Sequence, residues 1–161
     1  MYNVENSLRI QIESNRESGT IRLFTYIPLF RFFENFVTNF SDKMYLDFSI
    51  KSLDEIDDFL DEMCDYDLDE DSIYNIYTMV GSYVFEVARR QYGGRYYWLN
   101  EEQQPILVEG EPDFTVSIKA WDKVKKYLKN GSEDNIAFWV QGYKEHIDKG
   151  RQIKGYRALI I

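Results

Sequence analysis

Apolar and polar positions along this chain fall into blocks with two different periods. The longest block runs from Asp71 to Tyr92, DSIYNIYTMVGSYVFEVARRQY. On a wheel of about 100° per residue, Ile73, Ile76, Tyr77, Val80, Val84, Val87 and Ala88 share one face. Tyr74, Gly81, Phe85 and Tyr92 widen it on one side, Met79 and Tyr83 on the other. Only Asn75, Thr78, Ser82 and Arg89 are left as a polar strip. A helix apolar over most of its circumference is buried between other elements. At about 1.5 Å per residue it spans roughly 33 Å, a small domain's diameter. Asp69 or Asp71 can cap its start, Arg89 and Arg90 suit its negative end, and Gly93-Gly94 stop it.

The remaining blocks alternate between the two periods. Leu8, Ile10 and Ile12, then Ile21 and Leu23, alternate with polar neighbours around the polar stretch 14–20, which predicts a variable N-terminal β-hairpin in 1–26. Pro28 suits a first helical position, and Phe33, Phe36, Val37 and Phe40 give the following helix its apolar face. Met44 to Ser49 reads as a short strand. Ser52 and Glu55 match a capping box opening a helix to about Met63, with Leu53, Ile56, Phe59, Leu60 and Met63 inward. Strands are expected at Arg95–Leu99, Pro105–Val108 and Phe114–Ser117. A lysine-faced helix follows at Ile118–Lys129, capped by Ser117. A last helix, capped by Ser132 and stopped by Gly150, carries Ile136, Phe138, Trp139, Val140, Tyr143 and Ile147 inward. Tyr156–Ile161 reads as a terminal strand that must be paired or covered. The expected class is α+β: one domain over 1–161, an antiparallel meander against about five helices, with the helix at 71–92 central.

Charge changes this picture. The net charge is −9, which argues against nucleic-acid binding, since phosphate recognition needs concentrated Lys and Arg. The acid is densest in one stretch: Asp54, Glu55, Asp57, Asp58, Asp61 and Glu62 on the outer face of a helix, then Asp65, Asp67, Asp69, Glu70 and Asp71. No Lys or Arg interrupts residues 52–88. Such a run is either a solvated face or a surface that steers a basic partner. Asp65-x-Asp67-x-Asp69 has calcium-loop spacing, but Glu70 stands where the turn needs glycine and Ile76 where a bidentate glutamate belongs. The chain is rich in aromatics, with 13 Tyr, 11 Phe and 3 Trp. The N-terminus has no signal-peptide pattern and no apolar run suits a membrane span, which points to a bacterial-type cytoplasm.

Candidate chemistry is sparse. One cysteine, Cys64, and one histidine, His146, allow neither a disulfide framework nor a Cys/His zinc site. The acids around Cys64 disfavour its thiolate. No nucleophile elbow, P-loop or dinucleotide fingerprint is present, and no metal or cofactor is expected. Glu86 and Arg90 stand at i,i+4 spacing, either as a helix ion pair or, with Tyr97 and Trp98, as the polar lining of a small-ligand pocket.

Gly81-x-Tyr83-x-x-Glu86-Val87-x-x-Arg90, followed by Gly93-Gly94-x-x-x-Trp98, resembles a recurrent bacterial domain family with the pattern G-x-Y-x-G-E-V-x-x-R-x-x-G-G-x-W. Leu46-Asp47-Phe48-Ser49, Ser52-Leu53 and Asn130-Gly131 with Asp134-Asn135-Ile136 are similar to its flanks, so the likeness covers about 44–147. The chain departs from it with Phe85 in place of glycine and a longer spacing to Trp98. The resemblance implies no established activity; some members of that family sit in toxin–immunity settings. The expectation is therefore a non-enzymatic acidic binding protein that occludes a basic toxin domain through Asp54, Asp57, Asp58, Asp61, Asp65 and Asp67. The alternative is a ligand-binding or enzymatic pocket at Glu86, Arg90, Tyr97 and Trp98.

Overall fold

The computed structural model describes residues 27–131 and 135–161. The expected hairpin in 1–26 and the expected Ser132 cap lie outside the described residues. Among the described residues, five helices and four strands follow in order: α1 (Ile27–Phe40), α2 (Ser52–Cys64), α3 (Glu70–Tyr92), β1 (Arg95–Leu99), β2 (Gln104–Glu109), β3 (Thr115–Ile118), α4 (Ala120–Asn130), α5 (Ile136–Gln152) and β4 (Arg157–Ile160). The class is α+β, as the periodicity predicts. Among the described residues no helix is long and apolar enough to cross a membrane.

The central helix is α3. Asp69 caps it, accepting from the Ser72 N–H at 2.8 Å. Gly93, at φ 87°, ends it in a conformation that favours glycine. Helix α3 packs on both α1 and α4, and every residue from Gly81 to Ala88 is buried. Of the polar strip read from the wheel, Thr78 and Ser82 are buried, Arg89 is half-buried and Asn75 is exposed. Thr78 Oγ1 donates to the Tyr74 carbonyl and Ser82 Oγ to the Thr78 carbonyl, and Ser82 Oγ also accepts from the Trp121 indole N–H at 3.0 Å. These bonds within one helical turn satisfy the hydroxyls and let them face α4. Gly81 sits opposite Trp121: a Cβ there would lie 2.7 Å from Trp121 Cδ1 and 3.1 Å from its Cα. The glycine sets the close approach of α3 and α4.

The sheet order is β1-β2-β3-β4. The first three strands form the expected antiparallel meander, but β4 pairs with β3 in parallel, so the sheet is mixed. A parallel neighbour needs a crossover, and α4 and α5 supply it. Pro105 lies on β2 opposite Trp98, beyond the point where the β2–β3 pairing ends at Leu107, so its missing N–H costs no ladder bond to β3.

Four local expectations fail for identifiable reasons. Phe138, expected inward, is 66% exposed, because two residues past the buried Ile136 it falls on the opposite side of α5. Met44–Ser49 forms no strand; Phe48 takes a left-handed φ of 61°, which breaks an extended run. Ser52 is not the capping residue of α2. It is buried, its hydroxyl donates to the Ser49 carbonyl at 2.7 Å, and Ser49 Oγ accepts from the Ser52 N–H. Ser117 lies in β3 and does not cap α4, whose first turn is preceded by Lys119.

Candidate functional site

The acid stretch divides into two sets once its neighbours are seen. Asp57 is half-buried, and its carboxylate accepts from the N–H groups of Ile136 and Ala137 at 2.6 and 3.2 Å. It thus serves the start of α5 from a helix far away in sequence, alongside Asn135, whose side chain accepts from the Phe138 N–H at 2.7 Å. Asp61 accepts from the Tyr127 hydroxyl at 2.7 Å and ties α2 to α4. Both acids of the expected binding set therefore hold helices together. Burial pushes the Asp57 carboxyl up; the two N–H bonds pull it down, and Asp54 and Asp61 add to the rise.

The second set faces water. Asp54, Asp58, Asp65 and Asp67 are exposed, with Glu62, Glu70 and Asp71 beside them. Two large aromatic side chains stand among these acids. Tyr66, between Asp65 and Asp67, is 57% exposed, and Tyr74, one turn into α3, is 48% exposed. Neither position stood out in the sequence, because Tyr74 falls on the edge of the apolar face of α3 and Tyr66 lies in a loop with no period. Cys64 borders this surface. Burial raises its thiol pKa, and the charges of Asp61 and Asp65 raise it further, so it remains a protonated thiol near neutral pH.

Glu86 is built differently. It is 2% exposed. Arg89 Nε and Nη2 each donate to its carboxylate at 2.9 Å, Arg90 Nε donates at 2.8 Å and the Tyr96 hydroxyl at 3.2 Å. Burial pushes this carboxyl up, but the hydrogen bonds and charges of the two arginines outweigh it and hold it below its ordinary value. The Arg90 guanidinium carbon lies 3.8 Å from the ring centre of Phe48. The left-handed Phe48 is pinned from both ends: its N–H donates to the Tyr83 hydroxyl at 3.0 Å, and its carbonyl accepts from Gln91 Nε2 at 3.1 Å. The Tyr83 hydroxyl also meets Ser52 Oγ at 2.7 Å.

Of the alternative pocket residues, Glu86 and Arg90 come together as the spacing implies. Tyr97 does not join them: it lies on the other side of the sheet, and its hydroxyl donates to Glu111 at 2.8 Å. Trp98 shares the inner side, with its ring packed edge-on to Trp121 at 6.1 Å. The tyrosine that reaches Glu86 is Tyr96, one residue earlier, and one residue along a strand exchanges the two faces.

The lysine face expected on α4 is also divided. Lys119 and Lys123 are buried. Lys119 pairs with Glu102 at 2.7 Å and Asp122 at 3.3 Å, while Lys123 sits 6.0 Å from the Trp139 ring centre. No family model matches the chain, and no curated protein or solved structure matches it either.

Proposed function

We propose that this chain is a non-enzymatic binding protein whose acidic face recognises a basic protein surface, in the manner of an immunity or inhibitor protein that occludes its target. The observation that carries this reading is the exposure of Asp54, Asp58, Asp65 and Asp67, together with that of Tyr66 and Tyr74, in a stretch without a single Lys or Arg from 52 to 88. Acids steer a cationic partner and raise its on-rate. Tyrosines supply contact area at low entropic cost and are frequent interface anchors. The motif likeness to a bacterial family with members in toxin–immunity settings points the same way. Asp57 and Asp61 belong to the support of this face, because their oxygens are engaged by Ile136, Ala137 and Tyr127.

The test is a pull-down of the tagged chain from its native lysate together with the products of neighbouring genes. It is compared with Asp54→Lys/Asp58→Lys/Asp65→Lys, which spares the two supporting acids. A stoichiometric basic partner, lost in the variant and weakened by salt, supports the proposal. A partner retained by the variant, or one without a basic surface, sinks it.

A further inference from the structure

Phe138 stands 66% exposed on the outward side of α5, beside a groove of about 520 Å3. Ile50, Tyr92 and Ala137 give the groove its apolar lining, and Gln141, Lys144 and Glu145 its polar lining. Tyr92 lies at the Lys144 end, close enough to feel the charges of Lys144 and Asp148. An exposed large aromatic next to an apolar groove with a polar border is the composition of a protein contact surface.

Gly142 follows Phe138 by four residues, on the same side of α5. Glycine inside a helix lowers stability relative to alanine, so its presence needs a cause. Gly81 and Gly150 have one within the chain: a Cβ at Gly81 would meet Trp121, and a Cβ at Gly150 would run into the Phe114 ring. Gly131 and Gly155 have one in their positive φ. Gly142 has neither. A Cβ there would meet no described atom within 4 Å, and its φ is not positive. The missing side chain instead leaves room for a second backbone to come close, as Gly81 does between α3 and α4.

Charge selects the occupant. Lys144, Lys149 and Arg151 on α5 stand against Glu145 and Asp148, so this helix carries no excess of acid. The whole chain carries −9, and two copies of it repel. They meet with least repulsion on a side where the charges balance. A basic partner is drawn to the acids of α2 instead.

We propose that the outward side of α5 is the contact surface for a second copy of this chain, with a two-fold axis passing near Gly142. Such a contact is the same patch on both copies. The two α5 helices cross antiparallel at Gly142, and Phe138 of each copy enters the groove of the other, between Tyr92 and the stems of Lys144 and Glu145. The contact is separate from the acidic face on α2, and the reading of that face neither supports nor weakens it.

The test uses the full chain. Sedimentation over a concentration series is expected to show a monomer–dimer equilibrium, with the dimer Kd raised at least about tenfold by Phe138→Asp and by Gly142→Leu. Both changes point outward, so the helical circular dichroism of the monomer should be retained. A nitroxide at Gln141→Cys, in a Cys64→Ser background, should give an inter-label distance below about 25 Å in the dimer, since packed helix axes lie about 8–10 Å apart. A chain that stays monomeric up to about 1 mM overturns the proposal. A dimer that both variants retain, or labels farther apart than that distance, places the contact elsewhere and overturns it too. So does a monomer in which Phe138→Asp abolishes capture of a basic partner, because this side of α5 then serves that partner.

Discussion

Glu86 on α3 and the acid row on α2 carry the same charge in opposite surroundings. Glu86 is enclosed, with donors from Arg89, Arg90 and Tyr96 on its two oxygens. Asp54, Asp58, Asp65 and Asp67 stand in water. Asp57, half-buried, and Asp61, exposed, also lie on the acidic helix, but N–H and O–H groups from α4 and α5 occupy them. The donors that surround a carboxylate decide whether it supports the fold or remains free to meet a partner. A charge run is thus not one functional unit.

The strongest way to break the comparison is at Glu86. Glu86→Ala strands two guanidinium groups and a tyrosine hydroxyl, and breaking a buried ion pair from one side costs about 3–5 kcal/mol. Because the two arginines are partly exposed, the lower end of that range is expected, read as a shift of the urea midpoint at unchanged m. A loss comparable to that of a surface acid would show that the cluster is slack. Tyr96→Phe removes one neutral donor to the same charge and is expected to cost about 1.5–3 kcal/mol.

Asp57→Ala comes next. It frees the Ile136 and Ala137 N–H groups, and loss of a helix cap costs about 0.5–2 kcal/mol. The two carboxylates also respond to acid with opposite sign. The folded pKa of Glu86 is depressed, so its stabilisation is present above its ordinary value of 4.5 and is lost as pH falls through the lowered folded value. The folded pKa of Asp57 is raised, so its contribution is present below 3.8 and is lost as pH rises through the raised value. Stability measured against pH should lose part of its acid-side fall in Glu86→Gln and steepen that fall in Asp57→Asn. The same change in both variants would remove the contrast.

The long periods were legible in the sequence and the short-range neighbours were not. The α3 face, its Asp69 cap and its Gly93 stop follow from helical spacing and end chemistry. The parallel β4 does not, because pairing partners are chosen across the fold and no period records them. Phe48 shows a similar limit. Its left-handed backbone is held by Tyr83 and Gln91, both more than thirty residues away, so alternation in MYLDFS suggests a strand that tertiary contacts prevent. In the candidate site, the acid run and the Glu86–Arg90 pair were visible as spacing. The exposed Tyr66 and Tyr74, and the donors on Asp57 and Asp61, depend on which helix lies nearby.

The smallest expected effect on stability tests the functional half of the comparison. Asp58 is exposed, with Asp54 one turn before it and Asp61 and Glu62 one turn after. Asp58→Lys replaces like-charge neighbours with i,i+3 and i,i+4 attractions, so the unfolding free energy should change by less than about 0.5 kcal/mol, and upward if it changes at all. On an acidic binding face the same change should slow association with a basic partner and flatten its salt dependence, while dissociation changes less. Stopped-flow association at two ionic strengths measures both. If the rate is unaltered while stability is also unaltered, Asp58 belongs to a solvated surface, and the partner-binding role then rests on Tyr66 and Tyr74 without electrostatic steering from α2.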